Sequence, residues 1–254
     1  MKKLFLGLMI FGSGNAFSQV LSEDFESVAT PALPNGWSAT TQATNGYAGY
    51  YTGDEVDASA AGYWPVTSNG SSSFAMTNDD VQNEILCDEL LISPTMDFTG
   101  LNNVQVSFLA YHDGNYGSGD ATVEGSVDGG ATWTIIETLT PLAAWESYAV
   151  SLTAYDNESS VLIGFRWNDG GDCAGMDNWG TGLAIDNVIV EEAPPFEVTM
   201  DDNSLLEYTI IPLDQLQGPI GASGIITNTG AQSVSNIFMT SNVYDTDMNL
   251  VYTQ

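Results

Sequence analysis

Positive charge is nearly missing from this sequence. Its 254 residues include 33 aspartates and glutamates, three lysines and arginines, and a single histidine, His112. Phosphate binding draws on clustered Lys and Arg, so nucleic acids and anionic lipid surfaces are excluded as partners. Two of the three bases, Lys2 and Lys3, stand at the extreme N-terminus, which leaves Arg166 as the one base in the rest of the chain. Internal salt bridges therefore balance almost none of the acids, and solvent cations or bound divalent metal must do so. Most of this charge reads as a soluble surface suited to salty surroundings. Cysteine is scarce too. Cys87 and Cys173 form neither a Cys-x-x-Cys pair nor a Cys/His zinc pattern. One histidine and no Gly-x-Ser-x-Gly elbow leave no Ser-His-Asp triad to assemble. Beyond the N-terminus no apolar run is long enough to cross a bilayer as a helix, and apolar residues do not recur at helical spacing.

What is present begins with a leader. Lys2-Lys3 form a basic start, and Leu4 to Phe11 an apolar core too short to span a membrane. Small residues follow. Residues 1–18 are expected to be a signal peptide cut after Ser18, with Ala16 as the alternative point. The protein is then secreted or held on a bacterial cell surface. In an exported chain Cys87 and Cys173 are expected to pair; two small buried thiols are the other reading.

The body of the chain is β territory. Val20 to Glu26 reads as an opening strand, with Asp24 and Glu26 on one face and Phe25 on the other. Turns at Pro31, Pro34, Asn35 and Gly36 lead to Trp37. Residues 45–62 read as loop with short strand pieces, and 68–73 as a flexible turn. Val104 to Tyr111 places Val104, Val106, Phe108 and Ala110 on one face. Strand-like runs follow at Ala121–Val127, Thr132–Leu139, Ser147–Leu152, Val161–Trp167 and Leu183–Val190. Many short strands separated by Gly, Asn and Asp turns predict a two-sheet antiparallel β-sandwich of the jelly-roll kind. Glu191 to Pro195 marks a boundary, because consecutive prolines cannot continue a central strand. The expected organisation is a jelly-roll domain over 19–191, a linker over 192–197, and an incomplete immunoglobulin-like β domain over 198–254. Within the last, Thr209–Leu213, Gly221–Asn228 and Ile237–Tyr244 look like strands.

Three groups of residues invite chemistry. Ser126-Val-Asp128-Gly-Gly130-Ala-Thr132-Trp133 matches the S-x-D-x-G-x-T-W box that sialidases repeat once per blade. Here it occurs once. It predicts a structural hairpin in which Asp128 bonds turn amides, the glycines take positive φ, and Trp133 packs beneath. The second group joins the two ends of the domain. First and last strands of such a sandwich commonly lie side by side, which would bring Asp24 and Glu26 close to Asp186. Asp186 has apolar neighbours on both sides, and a buried carboxylate needs hydrogen bonds or a metal. Two or three carboxylates with backbone carbonyls suit calcium. The alternative is that Asp186 caps a turn while the N-terminal acids are solvated. The third group is two acidic, glycine-rich loops carrying Asp113, Asn115 and Tyr116 in one and Trp179 in the other. Aromatics beside amides and carboxylates suit sugar or peptide recognition; solvated loops with both rings folded onto the sandwich are the alternative.

Taken together, these residues resemble the cleaved-adhesin, or choice-of-anchor J, family, which is similar in pattern to MAM domains. The resemblance rests on Glu23-Asp-Phe-Glu26, Pro34-Asn-Gly-Trp37, Asp88 through Leu91-Ile-Ser-Pro94, Val104–Tyr111, Ser126–Trp133 and Gly182-Leu-Ala-Ile-Asp-Asn-Val188. It covers about residues 20–191. It implies a jelly roll, structural calcium, and a bacterial surface or secreted module that binds host protein or glycan, often carried on proteins exported by type IX secretion. By the resemblance, Glu26 and Asp186 are calcium ligands, with Asp24 a further candidate. The C-terminal piece resembles the start of an immunoglobulin-like or CARDB-like spacer.

The function expected from the sequence is a calcium-stabilised, adhesin-like module that recognises extracellular protein or glycan and has no catalysis of its own. The alternative is an accessory domain of a larger secreted protease or glycosidase. The cysteine pairing is testable at once. On the chain-entropy view a bond between them stabilises the fold by roughly 4–5 kcal/mol. Denatured but unreduced protein should resist thiol alkylation at both Cys87 and Cys173, and labelling of both would mean two thiols.

Overall fold

The computed structural model describes residues 18–43, 49–82, 88–114, 121–169, 180–194, 198–205, 222–228, 230, 233–235, 237, 242–244 and 250–253. The chain divides into two compact units. One is Phe17–Ala193; Pro194–Gln254 belongs to the other.

The first unit is an all-β, antiparallel jelly-roll sandwich. Its strands are β1 (Gln19–Glu23), β2 (Ser38–Thr40), β3 (Tyr51–Gly53), β4 (Phe74–Asn78), β5 (Glu89–Ile92), β6 (Val104–His112), β7 (Ala121–Ser126), β8 (Thr134–Thr138), β9 (Leu142–Ser151), β10 (Leu162–Trp167) and β11 (Gly182–Glu192). A six-stranded sheet runs β3-β4-β11-β6-β9, with β1 also paired to β11, and a five-stranded sheet runs β2-β5-β10-β7-β8. Neighbours in both sheets pair antiparallel. Alternation along β6 turns Val104, Val106, Phe108 and Ala110 inward, where all four are buried. They meet Leu91, Val123, Ile163, Phe165 and Trp167 from the other sheet in one core. Phe108 packs edge-on to Phe165 with ring centroids 5.0 Å apart, an arrangement favoured by the ring quadrupoles.

A second, smaller core covers the opposite face of the six-stranded sheet. Ala58, Trp64, Val66, Phe74, Met76, Tyr111 and Ala184 form it, with Tyr51 and Trp145 packed against them. Its cover is the excursion between β3 and β4, which contains a helical turn, α1 (Glu55–Ala58). Asp54 caps that turn, accepting from the Val56 and Asp57 amides. Trp145 fastens the far part of the excursion by donating from Nε1 to the Thr67 carbonyl at 2.6 Å. Consequently 68–73 is led back to the sheet at a defined place.

Several elements differ from the sequence-based expectation. The opening strand stops at Glu23, because the chain turns at Phe25, whose φ is +56°; Phe25 itself is fully buried. The short helices α1 and α2 (Asp79–Gln82) arise from local capping, by Asp54 for the first and by Asn78, which accepts from the Val81 amide at 3.1 Å, for the second, rather than from helical apolar spacing. Strand β9 begins at Leu142, five residues before the apolar alternation that suggests it, because its first part pairs with Tyr111 and His112 of β6. Strand β11 continues through Glu192, into the segment expected as linker. In the other unit β12 (Val198–Leu205) pairs with β13 (Ala222–Asn228), and β14 (Asn242–Tyr244) with β15 (Leu250–Thr253). The strand expected at 209–213 lies outside the described residues. So do Cys87 and Cys173. Among the described residues no helix is long and apolar enough to cross a membrane.

Gly182 opens β11 with φ +150°, and a Cβ there would overlap the Thr77 carbonyl oxygen of β4. That oxygen belongs to backbone and cannot swing away, so Gly182→Ala should lower stability by about 3 kcal/mol, the upper range for overpacking. A denaturant melt measures this, and an unchanged midpoint would contradict the close approach of the two strands.

Candidate functional site

Strand β11 is the centre of the six-stranded sheet, and one of its edges is shared. Residues 182–185 pair with β4, and residues 188–191 pair with β1. Glu23, at the end of β1, lies opposite Val188, and Ala75, near the start of β4, lies opposite Ile185. The two strands thus approach each other end to end, leaving Asp186 and Asn187 at the break. A register shift against β6 falls between Asp186 and Ile189, and Asn187 has φ +50°. Asn and Asp enter this left-handed region at lower cost than most residues. The bulge restores the inward face: Ile185, Val188 and Val190 all enter the main core. Asp186 is left facing the other way.

Asp186 is fully buried. Its Oδ2 accepts from Asn69 Nδ2 at 2.6 Å and from Ser71 Oγ at 2.5 Å. Its Oδ1 accepts from the Asn187 amide at 2.7 Å. Glu26, three residues beyond β1, grips the same segment from its other side. Glu26 Oε1 accepts from the Ser72 and Ser73 amides at 2.6 and 3.0 Å, and Oε2 accepts from the Ser72 hydroxyl. Asn69 Oδ1 in turn accepts from the Ser71 amide at 3.0 Å. Residues 69–73 are therefore held between one carboxylate from each end of the domain.

The two acids titrate in opposite directions. Bonds from the Ser72 hydroxyl and amide hold Glu26 below the usual carboxylate range. Burial pushes Asp186 up, opposed by its bonds from Ser71, Asn69 and Asn187, and the charge on Glu26 pushes the same way as burial. Among the described residues no lysine or arginine relieves this. Arg166, on β10 of the other sheet, donates from Nε and Nη2 to Glu124 on β7 at 2.8 and 2.9 Å and also contacts Asp88, just before β5. A buried carboxylate beside a second acid and the Ser71 and Ser72 hydroxyls groups hard oxygen donors, the kind that calcium takes. Among the described residues no three acidic, histidine or cysteine side chains converge. Glu26 and Asp186 would thus be the charged ligands, with neutral oxygens from 69–73 and water completing the shell.

Asp24 does not join them. It is exposed, and its Oδ1 accepts from the Glu26 amide at 3.1 Å, which shapes the turn that carries Glu26. Asp113 is buried and accepts from Thr181 Oγ1 at 2.5 Å. Asn115, Tyr116 and Trp179 lie outside the described residues. Ser126, Asp128, Gly130 and Trp133 build one hairpin. Asp128 accepts from the Thr132 amide at 2.9 Å and hydroxyl at 2.6 Å. Ser126 Oγ accepts from the Gly130 amide at 3.0 Å. These hydroxyl and amide donors hold Asp128 down at about 2. Trp133 crosses to β10, where a Cβ on Gly164 would lie 2.9 Å from its ring. The partners that sequence reasoning missed are Asn69, Ser71 and Ser72. Their signal was the run Ser68-Asn-Gly-Ser-Ser-Ser73, whose short polar side chains bond locally to backbone.

No family model and no curated protein matches the chain. Solved structures do. The chain is similar to the K1 cleaved adhesin domain of Lys-gingipain (Kgp) from Porphyromonas gingivalis W83, at 18% identity and TM-score 0.48, over 68% of this chain and 98% of that one. It is similar to the K3 cleaved adhesin domain of the same protein, at 16% identity and TM-score 0.45, with the same shares covered. It is also similar to the CBM22-1 xylan-binding domain from Paenibacillus barcinonensis Xyn10C, at 11% identity and TM-score 0.44, over 70% of this chain and 97% of that one.

Asp186→Ala removes the acceptor shared by the half-buried Asn69 and Ser71 side chains and by the Asn187 amide. It should cost about 3 kcal/mol and speed hydrogen exchange across 69–73. Exchange as slow as in the unsubstituted chain would mean that the segment is held by something else.

Proposed function

We propose that residues 18–193 form a calcium-stabilised, non-catalytic module that binds extracellular protein or glycan on a secreted or surface-held bacterial protein. The observation that carries this reading is the grip of Glu26 and Asp186 on residues 69–73. Both acids direct their oxygens at a piece of the same chain. That is the work of holding a fold together, and it differs from the work of a glycosidase pair, whose carboxyls face each other across a space for substrate. A cation between them would balance the buried charge of Asp186 and tie the first strand, the last strand and the covering excursion together. Structural metal of this sort adds its binding energy to folding.

Thermal melting with calcium and with chelator tests the metal. Calcium at about 100-fold its dissociation constant adds about 2.7 kcal/mol to the folded state, so the transition should rise clearly. The rise should vanish in Asp186→Asn and shrink at acid pH, where the ligands take up protons. Superimposable melts would remove calcium from the account. Screening the module against neutral glycans and matrix proteins tests the binding role, and silence across both would contradict it.

A further inference from the structure

The margins of the two sheets differ in what they leave open. The six-stranded sheet ends on β3 and β9, and the five-stranded sheet on β2 and β8. Strands β2 and β3 have three residues each, and β8 has five with Glu137 exposed among them. Strand β1, paired to β11, has five and ends in Glu23. Short strands and edge charges keep sheet margins from pairing with other chains. Strand β9 has neither safeguard. It runs for ten residues, Leu142 to Ser151, with no proline or lysine and with Glu146 as its one acid. Leu142, Ala143, Ala144, Ser147 and Ala149 are exposed.

The direction of its backbone groups follows from one bond. Just past the end of β9, the Leu152 amide donates to the Val104 carbonyl of β6 at 2.7 Å. Val150, Tyr148 and Glu146 continue that register opposite Val106, Phe108 and Ala110. Antiparallel pairs alternate between bonded and non-bonded, so these three residues bond to β6. Ser147 and Ala149, lying between them, point their N–H and C=O groups away from β6 at the open margin. Among the described residues no strand pairs with them there.

Charge and symmetry select the partner. With 33 acids to three bases, two copies of this chain repel over most approaches. At β9 each brings only Glu146, which already accepts from the Tyr148 hydroxyl of its own chain at 3.0 Å. Every copy presents the same unguarded edge, so pairing is mutual. About a two-fold axis at Ser147, antiparallel pairing keeps both core faces on one side and sets Glu146 of each copy opposite Tyr148 of the other. We propose that β9 pairs edge to edge with β9 of a second copy, joining the two six-stranded sheets into one. Backbone groups and short side chains make the contact while the remaining surfaces repel, so it strengthens as salt screens that repulsion.

Sedimentation equilibrium of the full chain across protein and sodium chloride concentrations tests this. The mass should rise toward two chains with protein concentration, and should do so earlier in high salt than in low. Ala149→Pro removes an outward N–H, a change that edge strands tolerate. It should hold the protein at one chain mass with its far-ultraviolet circular dichroism unchanged. Amide hydrogen exchange reads the same contact without substitution. Ser147 and Ala149 should slow as concentration rises, whereas Tyr148 and Val150 stay slow throughout. The proposal is overturned if the mass stays at one chain under every condition or if folded Ala149→Pro associates as the parent does. Exchange at Ser147 and Ala149 that ignores concentration overturns it equally.

Discussion

The carboxylate of Asp186 lies in the one place where the central strand of the larger sheet has a broken neighbour. Ionised carboxyl groups are costly to bury, by several kcal/mol even after relaxation, so the surroundings must be arranged for it. Of two strands that share a lane, β1 ends and β4 begins at that point. A left-handed asparagine bulges the strand so that the core face resumes beyond it. A polar segment then supplies donors to the buried oxygens. The closing strand, the opening strand and the return of the covering excursion all meet at this point.

This dependence also explains why the acids at the two ends of the domain are not alike. Glu26 is exposed and draws on backbone amides, so its charge is stabilised. Asp186 is buried and its charge is not. Together they present one acid held ionised and one whose charge burial opposes, around a shared polar segment. The chain has a single base outside its extreme N-terminus, and that base, Arg166, is paired with Glu124 and Asp88. An acid-rich, lysine-poor sequence places such acids in its interior only where something cationic, or a proton, meets them.

Much of the sandwich was legible in the sequence, because buried strands advertise themselves by alternation. The inward residues of β6 and the apolar run of β10 could be read directly, and the meeting of first and last strands followed from the topology. Asp186 was legible because a carboxylate inside an apolar run must be explained. Its partners were not. Ser68 to Ser73 has the composition of any turn, and only the path taken by the excursion, fixed by Trp64, Val66 and Trp145, brings it to Asp186. Glu89 was invisible for a related reason. It precedes Leu90-Leu-Ile92, and only the pairing with β10 turns it inward.

The central claim is that Glu26 and Asp186 are bridged by a cation across residues 69–73. A crystal structure grown in calcium tests it most directly. The account predicts anomalous density within about 2.3–2.6 Å of oxygens from both carboxylates, the range of calcium–oxygen bonds. Density for water alone, with Asp186 still bonded only to Asn69, Ser71 and Asn187, would contradict it.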